Sequence, residues 1–149
     1  MEFNIPSPLK GEHEELHQEL AKAPKVAGNI GDAARAVAQI LHPHFVKEEE
    51  YALPPLGLLT RLAAGDVTPE MADVLALTER LKAELPQMLE EHKAIVAALS
   101  HLVEVAKREH KLEYAHFAEK LILHAQTEEE VLYPTAPMIG EYLKQMLKR

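Results

Sequence analysis

One pattern constrains this chain more than any other: His44-x3-Glu48-Glu49-Glu50-x3-Pro54 returns as His124-x3-Glu128-Glu129-Glu130-x3-Pro134. In a helix, residues four apart share a face with Cβ atoms about 5–6 Å apart, so His44 and Glu48 point the same way, as do His124 and Glu128. Each copy is preceded, on an earlier apolar-periodic segment, by a Glu-His pair: Glu12-His13 and Glu91-His92. The chain therefore reads as a doubled half-site related by a pseudo-twofold. Two His-plus-Glu sets in that relation suit a pair of adjacent metal ions.

The apolar periodicity predicts an all-α chain: an antiparallel up-down four-helix bundle with a short connector helix and a short C-terminal helix, in a single domain over 1–149. The first helix is expected from Ser7, with Pro8 at the first helical position, to about Pro24, and carries Leu9, His13, Leu16 and Leu20 on one stripe. The second starts near Asp32, carries Val37, Ile40, Leu41, His44, Glu48 and Tyr51, and ends at Pro54-Pro55. Pro43 either kinks it just before His44 or breaks it at residue 42. After a helical connector over 56–64, Thr68-Pro69-Glu70 is expected to open the third helix, with Leu81, Leu85, Met88, Leu89, His92, Ile95, Leu99, Leu102 and Val103 inward and a kink at Pro86. The fourth begins around Leu112, turns Phe117, Leu121, His124, Glu128, Val131 and Leu132 inward, and closes at Pro134 and Pro137 before a terminal helix over 138–148.

Composition excludes several functions. A formal charge of −8 argues against a phosphate-backbone partner, so no nucleic acid is expected. There is no cysteine, which removes disulfides, thiolate metal sites and cysteine nucleophiles. No apolar run approaches the ~20 residues of a spanning helix, and the N-terminus lacks the layout of a signal peptide. A soluble, cytoplasmic protein without a membrane partner is expected.

His13, His44, His92, His124, Glu48 and Glu128 each occupy a stripe position where Leu or Ile would be expected. A buried, unpaired carboxylate costs several kcal/mol, and no Lys or Arg shares these stripes. Metal cations are the economical compensation. Imidazole suits iron, zinc or copper, and carboxylate suits hard or borderline ions.

His44-Phe45-x-x-Glu48-Glu49, the Glu90-Glu91-His92-Lys93-x-Ile95 segment and the second H-x3-E-E resemble the hemerythrin-like, HHE cation-binding family over roughly residues 8 to 135. The resemblance implies a four-helix bundle around two non-haem iron ions with an oxo or hydroxo bridge, with zinc or manganese as alternatives. It implies that His13 and His44 hold one ion, His92 and His124 the other, and that Glu48 and Glu128 bridge. It also implies binding of O2 or a related small oxidant, as carrier, sensor or scavenger; ligands spread over all four helices leave open an iron-responsive or iron-handling role without reversible O2 binding. The oxygen carriers have two histidines four apart on the third helix, whereas Met88 and Val96 flank His92 here, so a more open centre is implied. No residue is assigned a catalytic role.

The remaining polar residues divide as follows. His17 shares the face of His13 and is either a fifth ligand or an orienting donor. His42, His101, His110 and His116 lie off the layer. Glu49, Glu50, Glu129 and Glu130 are expected to face solvent, with one of them available to orient a ligand. Tyr51 and Tyr133 read as ordinary bundle aromatics. Glu14-x-x-His17 and Glu113-x-x-His116 match a ferritin-like spacing but lack core-facing Glu partners.

Overall fold

A computed structural model describes residues 1–148. Helices form throughout, no strand occurs among the described residues, and four helices are long. Helix α1 spans Ser7–Lys22, α2 Asn29–Lys47, α3 Leu59–Ala63, α4 Leu75–Arg108, α5 Leu112–Thr127 and α6 Tyr133–Leu147. The long α4 packs against α2, α5 and α6. No helix among the described residues is long and apolar enough to cross a membrane.

The core divides into two apolar clusters, one on either side of a polar layer. Leu16, Val37, Phe45, Ile95, Leu99 and Leu121 are among the residues that form the first. Tyr51, Leu53, Met71, Leu81, Met88 and Ile139 belong to the second. Burying so many branched and aromatic side chains is the main favourable term in folding. It also leaves the polar residues between the clusters away from water.

Three expectations about helix ends are corrected. Thr68 caps no helix with its side chain; Pro69–Val74 forms a 3-10 turn, and α4 begins only at Leu75. Pro134 and Pro137 do not end the chain's fourth helical run: the π turn over Glu128–Leu132 leads directly into α6, which takes up Pro134 as its second residue and continues through Pro137. The terminal helix is correspondingly longer than 138–148. Pro43 is likewise accommodated inside α2, which runs unbroken through residue 42.

Candidate metal centre

Two wide helical turns position the site. At Glu48–Ala52 and again at Glu128–Leu132 the backbone passes from α to π hydrogen bonding, each time starting on the first glutamate of the repeated pattern. The N–H of Leu53 donates to the carbonyl of Glu48 at 2.9 Å, and that of Tyr133 donates to the carbonyl of Glu128. Single π turns concentrate at functional sites. Because such a turn holds an extra residue, position i+5 rather than i+4 returns over position i.

That extra residue overturns the expected inner face of the second repeat. Val131 is 54 % exposed and Leu132 only partly buried, while Tyr133 is 1 % exposed. Tyr133 is therefore part of the site rather than an ordinary bundle aromatic. Its hydroxyl donates to Oε2 of Glu48 at 2.9 Å and lies 2.9 Å from Nε2 of both His44 and His92. A single phenolic proton faces three acceptor atoms. Tyr51, by contrast, is buried in the apolar core with the Arg80 guanidinium 4.4 Å above its ring.

The structure brings all six sequence-predicted residues together, each of them buried, in two adjacent groups. One comprises His44, Glu48, His92 and Glu128, the other His13, His124 and Glu128, and the ligand atoms within each lie within 4.8 Å of one another. Glu128 belongs to both. Its Oε1 is 3.5 Å from Nε2 of His92, and its Oε2 is 3.5 Å from Nε2 of His13 and 3.3 Å from Nε2 of His124. Glu48 reaches the first group, with Oε1 3.7 Å from Nε2 of His44.

The grouping differs from the one the resemblance implies. His44 stands with His92 and His13 with His124, with ring centroids 4.6 and 5.1 Å apart. The reason is helix adjacency: α2 lies against α4, so His44 faces His92 directly. Each group thus takes one histidine from each repeat.

Around the ligands lies a shell of carboxylates that carries the same pseudo-twofold. Nδ1 of His44 donates to Glu91 at 2.8 Å, that of His92 to Glu129 at 2.9 Å and that of His124 to Glu12 at 2.5 Å. Nδ1 of His13 lies 3.5 Å from Glu49. A carboxylate on Nδ1 fixes the tautomer and leaves Nε2 unprotonated and directed inward, as a metal ligand must be. Glu49 and Glu129 are exposed as expected, yet both reach a histidine, whereas Glu50 turns outward to Arg80 at 2.8 Å. The signal for this shell was present in the repeat, in the Glu before each first histidine and the second Glu of each triplet.

The electrostatics divide the site: three histidines are held in the neutral, ligating form, while His13 and Glu128 are shifted toward their protonated forms. Burial lowers the His44 imidazole to about 4, partly opposed by Glu91 and reinforced by His92. Burial likewise lowers His92 and His124. Burial also pulls on His13, but Glu128 and Glu49 outweigh it and raise this imidazole. Burial pushes the Glu128 carboxyl up to about 7, against the pull of His13, and burial with the nearby glutamates holds the Tyr133 phenol protonated.

The donor set fits metal ions on a second count. Both ring nitrogens of His13, Nε2 of His124, Oε1 of Glu48 and Oε2 of Glu128 are buried without a hydrogen-bond partner. Buried polar atoms are ordinarily paired, and the cost of leaving them unpaired is of order 1–3 kcal/mol each. A cation in each group would satisfy all of them except Nδ1 of His13, which faces Glu49 at 3.5 Å. His17 lies outside both groups, stacked on Phe45 at 4.3 Å, and His42, His101, His110 and His116 are exposed. Compared with known protein families, characterised proteins and solved structures, the chain matches none.

Proposed function

We propose that this chain is a non-haem metal protein of the hemerythrin-like kind that holds two iron ions in an antiparallel up-down helical bundle and binds O2 or a related small oxidant in the cytoplasm. Zinc and manganese are the other candidate ions for an all-N,O donor set. The observation that carries the proposal is the convergence of four buried imidazoles and two buried carboxylates on two adjacent groups that share Glu128, with the partnerless imidazole atoms in the His13 and His124 group and a partnerless carboxylate oxygen on each glutamate. His44, His92 and Glu48 would hold one ion and His13 and His124 the other, with Glu128 between them. A pair of iron ions there supplies two-electron exchange with O2 and a place for it to bind.

The chain's own residues do the rest. Glu12, Glu91 and Glu129 hold the histidine tautomers by hydrogen bonds to Nδ1. Tyr133 holds its proton on the phenol oxygen, directed at Glu48. The two apolar clusters close the layer on its two apolar sides.

Metal analysis of protein purified without chelator tests this, combined with visible spectra recorded with and without O2. About two iron per chain and an O2-dependent absorption are the expected outcomes. A metal content near zero after aerobic iron loading sinks the proposal.

A second reading is an iron-responsive or iron-handling module without reversible O2 binding. It is favoured by the origin of the ligands, whose histidines come from α1, α2, α4 and α5 and whose glutamates come from the two π turns, all of which would be tied together by the ions. Melting with and without a chelator tests it, since an unchanged midpoint excludes metal-dependent folding.

A further inference from the structure

The two groups of the centre are not equally accessible. On the His44 and His92 side, the Tyr133 hydroxyl closes over both Nε2 atoms and Glu48. On the His13 and His124 side a cleft of about 520 Å³ opens from the surface between α1 and α5, with Pro8, Gly11, Glu12, Leu123, His124 and Leu132 in its wall. His124 is both a wall residue of this cleft and a member of the second group.

The cleft exists because nothing fills it. A Cβ added to Gly11 would meet no atom within 4 Å, and Leu123 across the gap is 63 % exposed. Glycine inside a helix is unfavourable by comparison with alanine, so its presence on the wall of the gap costs stability that a side chain would recover. A second cleft on the other flank of α1, beside His17, Gln18 and Glu49, touches none of the six ligands.

Its chemistry selects the guest. Pro8, Leu123 and Leu132 are apolar, the Glu12 carboxylate sits on the histidine at the inner end, and Lys120 is engaged by Glu15 at 3.2 Å. Such a wall admits a small uncharged molecule and repels an anion.

We infer that the α1–α5 cleft is the port through which a small uncharged ligand reaches the centre, and that the half held by His13 and His124 is the half it meets. The inference rests on the metal-centre reading and assigns the two halves different work: one receives the ligand, and the Tyr133 half is closed.

Nitric oxide, a small neutral probe, tests the port when added anaerobically to the reduced, iron-loaded protein, its binding followed by visible absorbance in stopped flow. Gly11→Phe is expected to slow binding at least tenfold while elemental analysis still finds the wild-type iron content. Gly11→Ala should fall between the two, and Leu123→Trp plugs the cleft from the opposite wall should Gly11→Phe fold poorly. Gln18→Trp, in the cleft on the other flank, should keep the wild-type rate. Wild-type rates in folded, iron-replete Gly11→Phe or Leu123→Trp overturn the port and leave the metal centre standing. A wild-type chain that takes up no iron overturns both.

Discussion

The Tyr133 hydroxyl donates to Oε2 of Glu48 at 2.9 Å, and so joins the second repeat to the carboxylate of the first. The position that follows Glu48 as Tyr133 follows Glu128 is Leu53, which has no hydroxyl to offer, so the pseudo-twofold is broken at this contact.

Tyr133→Phe removes the donor and leaves both oxygens of a fully buried Glu48 without a partner. The metal-free chain should lose about 1–3 kcal/mol. Urea unfolding of the chelator-treated protein measures this, and an unchanged midpoint would show that the hydrogen bond contributes nothing net.

Glu128→Gln should act with opposite sign in the metal-free and metal-loaded chains. The folded carboxyl titrates near 7, above its ordinary 4.5, so its stabilising contribution is full below about pH 4.5 and is lost as pH rises through 7. Removing the charge should therefore stabilise the metal-free chain at pH 8 by about 2–3 kcal/mol and do little at pH 4. His44, lowered to about 4, runs the other way, its contribution falling as pH drops from 6.5 towards 4. With iron present the same Glu128→Gln should lower metal content, because the shared carboxylate is gone. Thermal melts at the two pH values, each with and without metal, read all of this; stabilisation in both states would remove Glu128 from the ligand set.

Glu12→Gln and Glu91→Gln should each weaken metal binding by about 10–100-fold, since each frees the Nδ1 of a ligand histidine. Glu130→Gln, on an exposed residue, serves as the comparison. Competition titration against a chromophoric chelator measures the ratio, and equal affinities across the three would show that the outer carboxylates do not orient the site.

Gly140→Ala tests the packing of α6 on α4. An added Cβ would run into Oγ1 of Thr78 and come within 2.9 Å of its Cβ, on a residue that is fully buried. A loss of about 1–3 kcal/mol is expected, in line with overpacking elsewhere. Thr78→Ala in the same chain should recover part of it, and additive losses in a double-mutant cycle would argue that the two do not meet.

Much of the site is legible in the sequence because the candidate ligands obey helical arithmetic. His44 with Glu48 and His124 with Glu128 are i, i+4 pairs, and His13 and His92 fall on the apolar stripes of their own helices. Tyr133 is not legible by that arithmetic, since extending an α-helical period past Glu128 lands on Val131 and Leu132 instead. Nothing in the residue types announces a π turn; only the recurrence of Glu-Glu-Glu-x3-Pro marks the place. The pairing of histidines was hidden for a different reason. It depends on which helices are neighbours, and periodicity reports the face of a helix without reporting what the face meets.

Two of the four shell carboxylates cross between the repeats: Glu12 serves His124, and Glu91 serves His44. Each group also draws one of its two histidines from either repeat. Neither half of the chain, cut from the other, owns a complete coordination set or the partner that fixes its own motif histidine. The repeats are interlocked like clasped hands, and a separated half-length fragment would have to find a second half before it could hold an ion at all.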